Sequence, residues 1–214
     1  MSAILALFDM DGTLLDSMQY WRGILIELME KNGYELPDSV KDQLQHLRHG
    51  AGVDLIRRMM VGDDNLPLTP EDIHAGMLEH YRHDISLKPG TVEKLRETRE
   101  AGAKIVVATA SPIHLCMTAL SHCGILDLVD DIITPQTFGC GKEKPEYFEK
   151  VMERYGVGAE DVTLYEDAYY SALTASGLGI RVVAIEDACQ AANKEELLAL
   201  ADEYYTDGWL TRVK

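Results

Sequence analysis

Residues 8–17 read Phe-Asp-Met-Asp-Gly-Thr-Leu-Leu-Asp-Ser. Asp9 and Asp11 stand two apart at the end of a short apolar run, residues 3–8. On an extended strand, alternate residues share one face, so the two carboxylates would lie side by side. Paired carboxylates do not both ionise unless a cation neutralises them or one keeps its proton. Either outcome is chemically useful: one acid attacks or binds metal while the other moves a proton. A second acidic pair, Glu166-Asp167, closes another apolar run at 162–165. Thr109, Ala110 and Ser111 follow a third at 104–108, with Pro112 next. Ser as N-cap and Pro as the first helical residue would begin a helix there, and the amides of such a start suit an anion. A capped helix with no ligand has the same residues. Two lysines, Lys142 and Lys144, could place a positive charge beside such an anion.

Other readings of these residues fit less well. A calcium loop counted from Asp9 would need an acid at residue 20, which is Tyr20. A plain polar turn is a costly use for two acids ending a buried strand. Gly139-Cys140-Gly141-Lys142 lacks the first glycine of a phosphate loop and has Glu143 where Ser or Thr belongs, and neither GxGxxG nor GxSxG occurs. Glu166 and Asp167 taken alone would serve equally as helix-capping acids.

The elements that must hold these residues alternate. Apolar runs at 3–8, 104–108, 131–134, 162–165 and 181–185 suit strands buried on both faces. Helical segments at 90–101, 112–123, 145–155, 169–176 and 193–200 lie among them. The order predicts a doubly wound α/β domain with a mostly parallel sheet, whose ligand crevice lies at the carboxyl ends of the strands. Residues 18–86 hold no convincing strand and read as helices at 18–32, 38–47, 53–60 and 69–83, broken by glycines and prolines. The expected organisation is a core of 1–17 and 87–214 with an inserted helical cap of 18–86.

Composition narrows the partners. The 214 residues carry 20 basic and 36 acidic side chains, a formal charge of −16, which argues against nucleic acid and against an anionic membrane surface. No apolar run approaches the roughly 20 residues a membrane helix needs, and the N-terminus lacks the pattern of a secretory signal. The four cysteines include no CxxC pair and read as free thiols of a cytoplasmic protein.

The segment Asp9-Met10-Asp11-Gly12-Thr13-Leu14-Leu15-Asp16-Ser17 resembles the first signature of the haloacid dehalogenase superfamily, in its phosphatase and β-phosphoglucomutase-like branch. Three further segments follow in the order that family has them: Val106 to Ser111, Gly141 to Phe148, and Leu164 to Asp167. The resemblance implies a Rossmann-like core with an all-helical cap that closes as a lid, and a phosphatase forming an aspartyl phosphate. It implies Asp9 as nucleophile, Asp11 as general acid and base, Thr109 and Lys142 as phosphoryl-binding catalytic groups, and Ala110 and Ser111 at the substrate. It implies Mg2+ held by Asp9, Glu166, Asp167 and the backbone carbonyl of Asp11. In the cap, Trp21 and Arg48 are candidate substrate contacts. The partner it implies is a small phosphorylated metabolite.

Some residues depart from the family's pattern. Its phosphomutases carry a histidine directly after a tyrosine in the first cap helix, where Trp21 follows Tyr20 here. That favours hydrolysis over mutase action; a non-catalytic phosphate-binding regulator is a third, weaker reading. Glu143 replaces the proline usual after the lysine. Ala168 and Ser171 replace the usual Ser and Gly of the fourth motif, with Tyr169 and Tyr170 between them.

Overall fold

The computed structural model describes residues 4–45, 49–60 and 65–214. The chain divides into two compact units, Met1–Asp16 with Ile85–Lys214, and Ser17–Asp84.

The larger unit holds strands β1 (Leu5–Phe8), β2 (Lys104–Ala108), β3 (Asp131–Ile133), β4 (Val162–Glu166), β5 (Arg181–Ile185), β6 (Glu203–Thr206) and β7 (Thr211–Arg212). They form one sheet in the order β3-β2-β1-β4-β5-β6-β7. Every neighbouring pair is parallel except β6 with β7. All four residues of β1 are buried, because a central parallel strand is covered on both faces; that is why it reads as an unbroken apolar run. Leu5 and Leu7 join Val106, Leu164, Phe148, Val151 and other side chains in one core cluster. Phe8 stacks on Tyr165 with centroids 4.0 Å apart, and Trp209 meets both edge-on. The expectation of five strands missed β6 and β7. Glu203-Tyr204-Tyr205-Thr206 has only Tyr204 buried, so this side of the sheet carries no apolar run.

The helices of this unit are α5 (Thr91–Glu100), α6 (Ile113–His122), α7 (Pro135–Phe138), α8 (Pro145–Tyr155), α9 (Tyr169–Gly177) and α10 (Lys194–Leu200); those of the smaller unit are α1 (Met18–Lys31), α2 (Asp38–Leu44), α3 (His49–Met59) and α4 (Pro70–His83). α6 starts one residue later than its sequence suggests. Pro112 is its N-cap, and Ser111 makes no capping bond because its hydroxyl is engaged elsewhere.

In the smaller unit, α4 begins with a capping box between Thr69 and Asp72 and Pro70 as its first residue, which satisfies donors that a helix start leaves unpaired. α3 begins at His49, ahead of the helix expected over 53–60, and so takes in Gly50 and Gly52. A Cβ at Gly52 would lie 2.7 Å from Leu25 Cδ1 and 3.1 Å from Leu44 Cδ2, so this glycine allows α3 to pack close to its neighbours. Gly76 does the same for α4, where a Cβ would lie 2.6 Å from Ile24 Cδ1. His80 bridges α1 and the end of α4, with its ring nitrogens 2.6 Å from Glu27 and 2.7 Å from Asp84.

Candidate active site

Sheet register determines what shares the crevice. Phe8 pairs with Val107 on one side and with Tyr165 on the other. The residues just past these pairs, Asp9, Thr109, Glu166 and Asp167, therefore emerge at one edge of the sheet. The chain order reverses at β1, between β2 and β4, which is the switch point where open α/β sheets bind ligands.

The loop after β1 folds back tightly. Leu14 and Leu15 donate their amides to Met10 O at 3.0 and 2.9 Å, and Gly12 N donates to Leu15 O at 3.0 Å. Gly12 has φ +90°, and a Cβ there would stand 2.6 Å from Asp167 Oδ2. Only glycine meets both demands, a left-handed backbone and the approach of a carboxylate. Thr13, buried beside it, donates its hydroxyl to Asp167 Oδ1 at 3.1 Å.

Asp9, Glu166 and Asp167 are buried, with one carboxylate oxygen from each lying within 4.8 Å of the others. Lys142, itself buried, donates to Asp9 Oδ1 and, at 2.7 Å, to Glu166 Oε2. Lys144 is exposed. Burial chiefly, then the charge of Glu166, raises Asp9 to about 8 despite Lys142. Burial, followed by Asp9 and Glu166, lifts Asp167 well above the usual carboxylate range. Burial works to lower the Lys142 ammonium, but Asp9 and Glu166 overcome it and hold the group well above its ordinary value. One lysine thus leaves this group of acids short of positive charge. The donors are all hard oxygens, and a small divalent cation such as Mg2+ fits both the donor set and the missing charge.

Asp11 is half-buried, and its Oδ2 accepts the Ser111 hydroxyl at 2.7 Å. Its side chain is outside the three-carboxylate group found among the described residues. Thr109 is buried, and its hydroxyl accepts the Ser111 amide at 3.0 Å. Ala110 is exposed. In the smaller unit, Trp21 donates its ring N–H to the Tyr81 hydroxyl at 2.9 Å and lines a cavity of about 430 Å3 with Val53, Arg57, Ile73 and His74. Arg48 lies outside the described residues.

Two features of the site escaped the sequence reading. Thr13 was read only as part of the motif, and its hydroxyl orients Asp167. Lys88 and Asp187 form a buried ion pair at 2.9 Å, with Lys88 Nζ also donating to Glu186 O at 3.1 Å. The Lys88 amide reaches Leu14 O at 2.9 Å, so this pair ties the loop after β1 to the end of β5.

Three buried acids and one lysine thus lie at the switch point of a parallel sheet, where open α/β folds bind ligands. The family model of haloacid dehalogenase-like hydrolases matches residues 5–179, and the chain belongs to that family. It is 27% identical to the phosphoglycolate phosphatase of Rhodobacter capsulatus over 145 residues, 65% of each chain. It is 24% identical to hexitol phosphatase B of Escherichia coli over 188 residues, 84% of this chain and 82% of that one. The crystal structure of CbbY from Rhodobacter sphaeroides in complex with phosphate superposes with a TM-score of 0.77 at 20% identity, covering 97% of this chain and 95% of that one. That last likeness is one of fold. Membership of the family makes the protein a hydrolase, and the two curated relatives named here are phosphatases.

Proposed function

We propose that the protein is a Mg2+-dependent phosphatase that hydrolyses a small phosphomonoester, a sugar or nucleotide phosphate, through an aspartyl phosphate on Asp9. The observation that carries this reading is the buried Lys142 ammonium bridging Asp9 and Glu166, with Asp167 beside them and too little positive charge for all three acids. The sugar class draws on the hexitol phosphatase relative, and the four free thiols suit a reducing cytoplasm.

Asp9 attacks phosphorus as the bond to the alcohol breaks, and the departing oxygen takes a proton from Asp11. Ser111 holds Asp11 for this step through its 2.7 Å hydrogen bond. In the second half, a water gives its proton to Asp11 and attacks phosphorus. The bond to Asp9 then breaks, releasing inorganic phosphate and the free carboxylate. Lys142 offsets charge on the phosphoryl oxygens and the Ala110 amide binds them, while the Ser111 amide, expected to do the same, is given to the Thr109 hydroxyl. Asp9, Glu166, Asp167 and the carbonyl of Asp11 would hold Mg2+, which when bound supplies the positive charge this pocket lacks.

Asp9→Asn tests the reading. Phosphate release across a panel of phosphorylated metabolites should fall at least about 10³-fold, as for other nucleophile deletions, with the melting temperature retained. Undiminished hydrolysis by the variant would end the idea. Chelation should stop turnover, and added Mg2+ should restore it. Glucose 1-phosphate separates phosphatase from mutase: free phosphate is expected, whereas glucose 6-phosphate would establish the mutase.

A further inference from the structure

The cavity of about 430 Å3 is lined by residues of the smaller unit, and the mechanism above gives it no part. Its lining has two characters. Val53 on α3, Leu68 just ahead of α4 and Ile73 within α4 are apolar and buried. Trp21 on α1 gives its ring N–H to the Tyr81 hydroxyl at 2.9 Å, so it joins them as an apolar wall. Asp54 and Arg57, three residues apart on α3, line the same cavity and are exposed. An apolar floor thus lies beneath a charged rim. Opposite charges at this spacing on a helix normally meet, and on α4 they do: Arg82 reaches Glu79 at 2.7 Å. Asp54 and Arg57 do not pair with each other, and among the described residues neither has another hydrogen-bonding or ionic partner.

We propose that this cavity binds a free α-amino acid with an apolar side chain. Its carboxylate pairs with Arg57, its ammonium with Asp54, and its side chain enters the floor of Val53, Leu68 and Ile73 against Trp21. The proposal goes beyond the phosphatase reading and does not depend on it. Charge selects the class. The guanidinium fork matches a carboxylate with two parallel hydrogen bonds. A simple organic anion would meet the Asp54 carboxylate as well, and a simple organic cation would meet Arg57; a zwitterion satisfies both. The floor excludes a polyol, whose hydroxyls would be left without partners against three buried aliphatic side chains. The volume and the mostly apolar lining with a few polar groups are those of a small-molecule site.

Calorimetric titration of the intact protein with L-leucine and L-phenylalanine tests this. Two probes each remove one charge from L-phenylalanine: 3-phenylpropanoate lacks the ammonium, and 2-phenylethylamine lacks the carboxylate. Both amino acids should bind saturably, and each one-charge probe should bind about tenfold more weakly or worse, the usual effect of losing one hydrogen bond to a charged group. Arg57→Met should lower L-phenylalanine to the level of 2-phenylethylamine, and Asp54→Asn to that of 3-phenylpropanoate. Both variants should keep the melting temperature, because the two side chains are exposed and unpaired. Absence of saturable binding up to about 10 mM would overturn the inference, as would variants that bind L-phenylalanine like wild type. Sorbitol or 3-phenylpropanoate binding as tightly as L-phenylalanine would also refute it, giving the cavity to a polyol or an organic anion. Binding is read without turnover, so the result stands whether or not the protein cleaves a phosphate ester.

Discussion

Gly12→Ala puts the geometry of the loop after β1 to its hardest test. The new Cβ would sit 2.6 Å from Asp167 Oδ2, 2.8 Å from its Cγ and 3.0 Å from Oδ1. Carbon and oxygen do not rest so close, and relief requires a shift of roughly 0.7–1 Å. The clash is with a carboxylate whose oxygen already accepts the Thr13 hydroxyl, so moving it breaks a hydrogen bond to a buried acid at a cost of about 1–3 kcal/mol. The φ of +90° adds about 1–2 kcal/mol of backbone strain for any L side chain. Together these give about 2–5 kcal/mol, which for a protein of this size is a fall in melting temperature of about 4–20 °C. Asp167 also belongs to the proposed metal site, and displacing such a ligand should weaken Mg2+ by about 10–100-fold. Thermal melts and the Mg2+ dependence of phosphate release measure the two effects separately. A variant that melts within a degree or two of wild type and saturates at the same Mg2+ concentration would refute the reasoning.

Lys88→Met leaves Asp187 buried without its cation and should cost about 3–5 kcal/mol in a denaturant titration, with Lys88→Met/Asp187→Leu recovering much of the loss. Asp131→Asn tests a pH dependence. Asp131 accepts bonds from Tyr155 at 2.7 Å, Arg154 at 2.9 Å and the Ile132 amide at 2.8 Å; burial works to raise it, but these bonds hold it below its ordinary 3.8. A depressed carboxyl stabilises the fold above its unfolded value and loses that contribution as pH falls through its folded value. The variant should therefore be less stable by about 1 kcal/mol at neutral pH, after screening at a partly exposed site, with the gap closing in melts below pH 3.8. Thr13→Val removes the hydroxyl from Asp167 and should weaken Mg2+ about tenfold, read as the metal concentration for half-maximal activity.

The acids at 9–11 and 166–167 stand out in the sequence because charged residues seldom end buried strands without a partner. The central strands were legible for a related reason: β1 is covered on both faces and has no polar position to hide it. The rest depended on distance along the chain. Lys88 and Asp187 are 99 residues apart, and nothing local marks either as half of an ion pair. Ser111 next to Pro112 has the local signature of a helix cap, but Asp11, 100 residues away, takes its hydroxyl. Gly52 reads as a break because intrinsic propensity disfavours glycine in helices; close packing against Leu25 and Leu44 outweighed that cost.

The smaller unit is one continuous stretch, Ser17–Asp84, set into a discontinuous larger one. For the sheet to form, Leu5 must find Lys104, roughly a hundred residues on, and the entropy lost in closing such a loop grows with the logarithm of its length. Once folded, the insert has its two ends close together: the Tyr20 hydroxyl, three residues from its start, reaches Asp84 O at 3.2 Å. An insert that folds first shortens the flexible loop to roughly a third, worth about 1 kcal/mol towards closure. A helical insert that folds ahead of the sheet acts as a folding aid for it, so substitutions that loosen its packing at Gly52 or Gly76 should slow formation of the sheet, read as a refolding rate.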